Sequence, residues 1–270
     1  MKCKICFNLN KKNLSFAYSH QNIKYYKCQN CYFVFQYPLP SKEKLKKIYN
    51  TEYFNQNYFE NSKDFKLRKK QYTVDKKIIL KHYKDNKNKS ILDYGCGNGT
   101  FLKLFKSKKF GYEFNNDAVL DKSVKRVLKK KIFKKKYDLI IMRGVIEHIP
   151  NFEIVVKNLS SCLKKGGLFY ITATPNTNNL TFFLSERNFN QNHPAHLFHF
   201  NNVNLSLFFL KLNFFNILMR YEYYDTPYAN IPKDFTSLKN QLKHFKNHKY
   251  KSKSPPSVGN MMTAIFKKMA

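Results

Sequence analysis

Apolar residues in this chain follow two rhythms. Short unbroken runs, Ile91-Leu92, Leu139-Ile140-Ile141-Met142 and Leu168-Phe169-Tyr170-Ile171, have the character of strands buried on both faces. Between them lie stretches with helical spacing. Asp64 to Tyr83 carries Phe65, Tyr72, Ile79 and Tyr83 on one face, and Phe101-Leu102-Leu104-Phe105, Asp117–Leu128, Asn151–Leu163 and Asn204–Leu212 read as further helices. Phe214 to Tyr221 and Met261 to Phe266 read as two more strands. Strands alternating with helices predict an α/β domain. Ahead of this domain, after Pro38-Leu39-Pro40, Ser41 is placed as the N-cap of a short helix through Leu45, Ile48 and Tyr49, with Lys44 where a capping box would want Glu.

The first buried run leads directly into Asp93-Tyr94-Gly95-Cys96-Gly97-Asn98-Gly99-Thr100 and then into a helical segment. Strand, glycine turn, helix brings backbone N–H groups and a helix N-terminus close to a ligand. A Gly-x-Gly-x-Gly match alone is weak, since tight turns use glycine for steric reasons. A second acid sharpens it: Glu113, in Phe110-Gly111-Tyr112-Glu113-Phe114, stands about 20 residues on, where nucleotide-type folds place the carboxylate that grips ribose hydroxyls.

Over roughly residues 88–220 the chain resembles the class I S-adenosylmethionine-dependent methyltransferases. The resemblance is carried by Asp93-Tyr94-Gly95-Cys96-Gly97-Asn98-Gly99, by Gly111-Tyr112-Glu113, by Tyr137 to Pro150, by Leu163-Lys164-Lys165-Gly166-Gly167 and by Ile171 to Asn176. It implies a Rossmann-like fold, a mostly parallel sheet closed by an antiparallel strand, and S-adenosyl-L-methionine as cofactor. By that resemblance Asp93, Gly95, Gly97 and Gly99 hold the cofactor's methionine end and Glu113 its ribose. Arg143 meets the cofactor carboxylate or a substrate phosphate, or is a surface charge. One departure stands out. Where the family ends its third strand in an acid that contacts adenine, this chain has Leu128-Lys129-Lys130-Lys131-Ile132-Phe133-Lys134-Lys135-Lys136, so no adenine contact is assigned.

The loop after the fourth strand contains Glu147-His148, beyond the carboxyl end of the sheet, where open α/β sheets bind ligands. Methyl transfer from a sulfonium needs alignment and, for many acceptors, loss of a proton. An imidazole with a reference pKa of about 6.5 suits that task, which nominates His148, with Glu147 beside it. The alternatives for His148 are a cap on the following helix, Asn151–Leu163, or a purely structural histidine. His193-Pro194-Ala195-His196-Leu197-Phe198 is a second histidine-bearing stretch. In zinc-ribbon methyltransferases acting on sugars, a similar His-x-x-x-Phe lines the acceptor pocket. By that resemblance His196 is a substrate contact or alternative base, with a packed structural histidine as the other reading. A metal cluster is set aside here, because no carboxylate accompanies these histidines in the sequence.

Cys3-x-x-Cys6 and Cys28-x-x-Cys31 present four thiolates in two tight knuckles, the arrangement tetrahedral Zn²⁺ requires. Phe16-Ala17-Tyr18 and Ile23-Lys24-Tyr25-Tyr26 between them suit a ribbon hairpin. Two disulfides conflict with a chain that opens Met1-Lys2-Cys3 without a signal pattern and is read as cytoplasmic. The domain organisation expected is a zinc ribbon over 1–37, a helical linker over 38–87 whose Tyr53 to Phe59 covers the cofactor or packs between domains, and a methyltransferase domain over 88–270. The last carries a basic insertion at about 225–256, read as a solvated segment.

Composition changes this picture in one respect. The 270 residues carry a formal net charge of +33, a footprint for a polyanion such as nucleic acid. Nearly all of it is lysine, though, and arginine is the better bidentate phosphate reader. A chain also rich in Asn, Ile, Phe and Tyr fits a coding bias, so non-specific polyanion binding is kept as a secondary expectation. The resemblance implies a small-molecule acceptor, a nucleotide-linked sugar or glycan precursor, with an RNA or ribosome-associated substrate as the alternative.

Overall fold

The fold was analysed on a computed structural model that describes residues 3–6, 13–50, 63–185, 192, 194–221, 229–245, 247 and 259–269. Tyr53 to Phe59, with its expected cover over the cofactor, and His193 lie outside the described residues.

A hairpin opens the chain: β1 (Leu14–His20) pairs antiparallel with β2 (Ile23–Cys28) across Gln21-Asn22. Both turn residues take positive φ (48° and 63°), the twist that a two-residue connection between right-twisted strands demands. β3 (Val34–Gln36) joins β2, and the fourth strand of this sheet, β9 (Phe198–His199), comes from far along the chain. The cysteine-bearing ribbon is therefore completed by the segment that bears His196. α1 (Lys42–Ile48) starts as expected, with the Ser41 hydroxyl accepting from the Lys44 N–H. α2 (Lys63–Leu80) follows and buries Phe65, Tyr72 and Ile79.

The main sheet has seven strands in the order β10-β11-β8-β7-β4-β5-β6. Its parallel part is β4 (Ser90–Tyr94), β5 (Lys108–Tyr112), β6 (Lys125–Arg126), β7 (Tyr137–Arg143) and β8 (Leu163–Pro175). β10 (Phe214–Arg220) and β11 (Met261–Lys268) close it antiparallel against β8, as the resemblance implied. The unbroken apolar runs are explained at once: β4 is buried along its whole length and β7 in all but its last residue. α3 (Thr100–Lys103), α4 (Lys129–Ile132), α5 (Phe152–Cys162), α6 (Leu180–Ser185), α7 (Asn202–Leu210) and α8 (Ile231–Lys243) complete the described elements.

Two expectations are corrected. Asp117–Leu128 is not a helix but a pair of turns leading to the two-residue β6. The Asn115 side chain accepts from the Asp117 N–H and the Asp121 carboxylate from the Ser123 N–H and hydroxyl. Such side-chain bonds offer the backbone a partner that competes with the helical ladder. The abbreviated third strand was foreseen, but it precedes the lysine run, which instead winds into the short α4 around buried Ile132. In the basic region, residues 231–243 are a helix that is largely exposed, with Asp234 and Gln241 on its buried side. The Ser185 hydroxyl donates to the Gln241 carbonyl oxygen and ties that helix to α6.

Candidate active site

The C-terminal ends of β4, β5 and β7 surround a cavity of about 380 Å³. That lies within the usual range for small-molecule sites, roughly 300–1,000 Å³. One wall is Gly95, Tyr112 and Glu113; the opposite wall is Gly144, Val145, His148 and Ile149; Leu45, Tyr49 and Arg68 come from the helices before the sheet.

Gly95 is fixed by geometry. Its φ is +86°, and a Cβ there would stand 2.6 Å from Val145 Cγ2, so a side chain would push the two cavity walls apart. The neighbouring Gly97 N–H donates to the Glu113 carboxylate at 2.8 Å, and the Asn115 N–H donates to its other oxygen. Glu113 is thus held against the glycine turn at the cavity wall. Gly99 caps α3 in left-handed geometry, away from the cavity lining. A smaller recess past Glu113 is lined by Tyr112, Phe114, Asn116, Arg126, Val127, Leu128 and Lys129, with Glu113 the one carboxylate among its described lining residues.

Asp93 is the next-to-last residue of β4 and is 3% exposed, behind the lining rather than in it. One of its carboxylate oxygens has no hydrogen-bond partner. Burial pushes its pKa up to about 7, against the pull of Arg143 and with a push from Glu113. Arg143 does reach the cavity, so the surface-charge reading falls away. Its Nε donates to Asp75 at 2.8 Å and its guanidinium lies over the Tyr72 ring. Asp75 is fully buried and also accepts from Gln71 and Tyr170. Sequence reasoning missed Arg68 and Asp75. Both stand three residues after an apolar position of the α2 stripe, Phe65 and Tyr72, and so on its buried face; polar residues on such a face were the available signal.

At the opposite wall, Glu147 and His148 sit in one turn of 3₁₀ helix. The His148 Nδ1 lies 2.8 Å from both the Tyr49 hydroxyl and the Ala195 carbonyl oxygen. A carbonyl can only accept, so Nδ1 carries the proton and the lone pair is on Nε2. This anchors His148 to the 194–197 segment rather than to α5, whose N-cap is Asn151. The Leu197 N–H donates to the Glu147 carbonyl oxygen and stitches the same two loops again. His196 comes to lie beside His148, ring centroids 4.6 Å apart. Glu147 is 1% exposed; one carboxylate oxygen accepts from Thr174, and the other, 3.8 Å from His148 Nε2, has no hydrogen-bond partner. Burial raises its pKa to about 8. The histidines thus do have a carboxylate, supplied from a different strand end, and the ground for setting aside a metal cluster is overturned.

The four cysteines of the knuckles converge outside this cavity's lining. Their sulfurs lie within 4.8 Å of one another, with Cys3–Cys31 and Cys6–Cys28 each at 3.6 Å. That is well beyond the roughly 2.05 Å of a disulfide and close to the edge of about 3.8 Å that a tetrahedron of 2.3 Å zinc–sulfur bonds requires.

Comparison with known proteins decides the family. A family model described as a methyltransferase domain matches residues 67–217, more than half of the chain. The chain belongs to this methyltransferase family. A search of curated proteins finds no match. Solved structures share its Rossmann-like methyltransferase fold at low identity. Burkholderia thailandensis 1,6-didemethyltoxoflavin-N1-methyltransferase, with bound 1,6-didemethyltoxoflavin and S-adenosylhomocysteine, has a TM-score of 0.54 at 12% identity, covering 95% of this chain and all of that one. A chain from the complex between the Haloferax volcanii Trm112 methyltransferase activator and a methyltransferase gives 0.55 at 8%, covering 86% of this chain and 100% of its own. Haemonchus contortus phosphoethanolamine N-methyltransferase 2, in complex with S-adenosyl-L-methionine, gives 0.53 at 13%, covering 88% of this chain and 62% of that one. The methyltransferase described here is an enzyme whose cavity sits at the sheet edge where its glycine turn and its Glu-His loop meet. Among the described residues, no helix is long and apolar enough to cross a membrane.

Proposed function

We propose that this methyltransferase moves the methyl group of S-adenosylmethionine to a small-molecule acceptor, a nucleotide-linked sugar or related glycan precursor. One observation carries the reading: a single cavity runs from the Gly95 and Glu113 wall to the His148 wall, so donor and acceptor subsites adjoin. The relatives solved with S-adenosylmethionine or its product support the donor, and the toxoflavin enzyme with its small acceptor supports the acceptor's size.

In this reading Glu113, oriented by the Gly97 N–H, accepts from the ribose hydroxyls. Arg68 and Arg143 provide positive charge for the methionine carboxylate, Arg143 being held in place by Asp75. Asp93 supplies negative charge behind Gly95, towards the donor's ammonium and sulfonium. His148 Nε2 takes the acceptor's proton as its lone pair attacks the methyl carbon and the carbon–sulfur electrons leave to sulfur. The Ala195 carbonyl and Tyr49 hold the ring, and His196 lines the acceptor side next to it. The four-cysteine cluster holds a structural Zn²⁺, which the sulfur spacing fits.

The test is calorimetric titration with S-adenosylhomocysteine. Binding is expected in the wild type and weakened roughly 10–100-fold in Glu113→Ala, the cost of losing a charge-assisted hydrogen-bond pair. Equal affinity in both removes Glu113 from the donor site.

The second reading, an RNA or ribosome-associated substrate, rests on Lys129 at the cavity rim and the lysines that follow it through Lys136. It requires binding to bulk RNA that falls steeply with salt.

A further inference from the structure

Three ligating groups meet at the His148 wall: a Glu147 carboxylate oxygen, a His148 ring nitrogen and a His196 ring nitrogen, all within 4.8 Å of one another. We infer that this cluster is a second metal site, a two-histidine, one-carboxylate centre for a late first-row divalent cation such as Fe²⁺, Co²⁺ or Zn²⁺.

Ligand atoms about 2.1 Å from a common ion lie about 3.0–3.4 Å from one another. The Glu147 Oε1 to His148 Nε2 distance of 3.8 Å needs only a small side-chain rotation to reach that. Three further features point to a cation rather than to an incidental grouping. The Glu147 oxygen facing the histidines is buried and unpartnered, although such an atom normally finds a donor. His148 donates its other ring N–H to a backbone carbonyl, the outer contact that fixes a metal-binding imidazole in the right tautomer. The second Glu147 oxygen accepts from Thr174, so the carboxylate is itself oriented. Imidazole and carboxylate together suit these cations better than Mg²⁺ or Ca²⁺, which favour all-oxygen shells. His148 also lines the cavity, so an ion would keep coordination positions open to a ligand there, the mark of a reactive rather than structural site.

The ligand class that follows is an acceptor with an oxygen donor, and this part rests on the proposed transferase reading. An acceptor hydroxyl bound to the ion loses its proton more readily. The proton passes to solvent at the cavity mouth, and the oxygen lone pair attacks the methyl carbon as the carbon–sulfur bond breaks towards sulfur. The Nε2 lone pair serves one role at a time: base in the metal-free centre, ligand in the loaded one.

Cobalt is the probe. Full-length protein loaded with one equivalent of Zn²⁺ per chain, which the four-thiolate knuckles take up in preference, and freed of excess zinc so that the strand-end cluster stays vacant, is titrated with Co²⁺ and followed by visible absorption and by metal analysis after desalting. The expected result is one Co²⁺ per chain with a nitrogen- and oxygen-ligated spectrum and no thiolate charge-transfer band. Glu147→Gln and His196→Asn should each weaken uptake at least about tenfold. No saturable uptake, uptake only with a thiolate band, or uptake unchanged in both variants overturns the site. The wild-type titration decides by itself, so a misfolded variant does not shelter the idea. S-adenosylhomocysteine affinity, measured in parallel, reports separately on the donor site: its loss sinks the transferase reading and leaves the metal result standing.

Discussion

Two polar clusters sit in apolar surroundings in this molecule, and they differ in how they are closed. The cysteine cluster is shut: Cys3, Cys28 and Cys31 are buried and belong to the same apolar core as Phe33, Phe152 and Phe208. The Asn204 side chain donates to the Cys31 carbonyl and the Lys211 ammonium to that of Ile5, so α7 and the turn after it are fastened to the knuckles. The strand-end cluster is open: Glu147 and Asp93 keep unpartnered buried oxygens, and His148 faces a cavity. A closed set of four equal ligands adds stability by tying loops together. An open set of unequal groups opposes folding through its buried charge and persists because the surrounding sheet is strong enough to hold it. The two regions should therefore fail in opposite ways.

The largest effect is expected at the closed cluster. Cys28→Ser, which leaves three of the four sulfurs, or prolonged chelation, which leaves all four without the proposed cation, should loosen the β1–β2 hairpin from the domain. For a chain of this size each kcal/mol is about 2–4 °C in Tm, so loss of the proposed structural ion should lower Tm by roughly 10 °C or more. A scanning-calorimetry trace that does not move on metal removal breaks the contrast.

The open cluster should respond in activity instead. His148→Ala is expected to lower turnover by roughly 10²–10⁴-fold, the usual worth of a placed proton acceptor. Affinity for S-adenosylhomocysteine should stay within about twofold and Tm within a few degrees. Turnover near that of the wild type would take His148 out of the chemistry, and the two clusters would then differ only in shape.

The closed cluster was legible in the sequence as a unit, whereas of the open one the sequence nominated Glu147, His148 and His196 singly and not their meeting, for a physical reason. Cys-x-x-Cys pairs are local knuckles whose spacing is set by backbone geometry, and β1 and β2 supply their hairpin within one contiguous stretch. The glycine turn was legible in the same way, since Gly95, Gly97 and Glu113 meet through one βαβ unit. Glu147, His148 and His196 meet because two loops are stitched by the Leu197 and Ala195 backbone, a contact across nearly fifty residues that no local pattern encodes. Asp75 was hidden likewise: it reads as one acid in a lysine-rich helix until the sheet brings Arg143 and Tyr170 onto it. The misread 117–128 segment shows the converse, where apolar spacing suggested a helix and Asn115 and Asp121 diverted the backbone into turns.

The smallest effect sharpens the claim that the strand ends oppose folding. Asp93 holds its proton up to about pH 7 in the folded chain, because burial disfavours its charged form, whereas an unfolded aspartate ionises near about 3.9. Between these values the folded state binds the proton and the unfolded state does not. The contribution of Asp93 to stability therefore falls as pH rises from about 4 to about 7 and levels off above. The whole decline is at most about 4 kcal/mol, the pull of the Arg143 charge being already contained in the value of about 7. Asp93→Asn keeps the shape and removes the titration. In urea unfolding, the variant should be close to the wild type near pH 4 and more stable than it by about 1–3 kcal/mol at pH 8. A donor with ammonium and sulfonium charges should narrow that gap when bound, because it favours the ionised carboxylate; S-adenosylmethionine affinity of the wild type should accordingly rise between pH 6 and pH 8. A stability difference that does not change with pH would mean that Asp93 is ionised and satisfied in the folded chain, and the cost assigned to the open region would vanish with it.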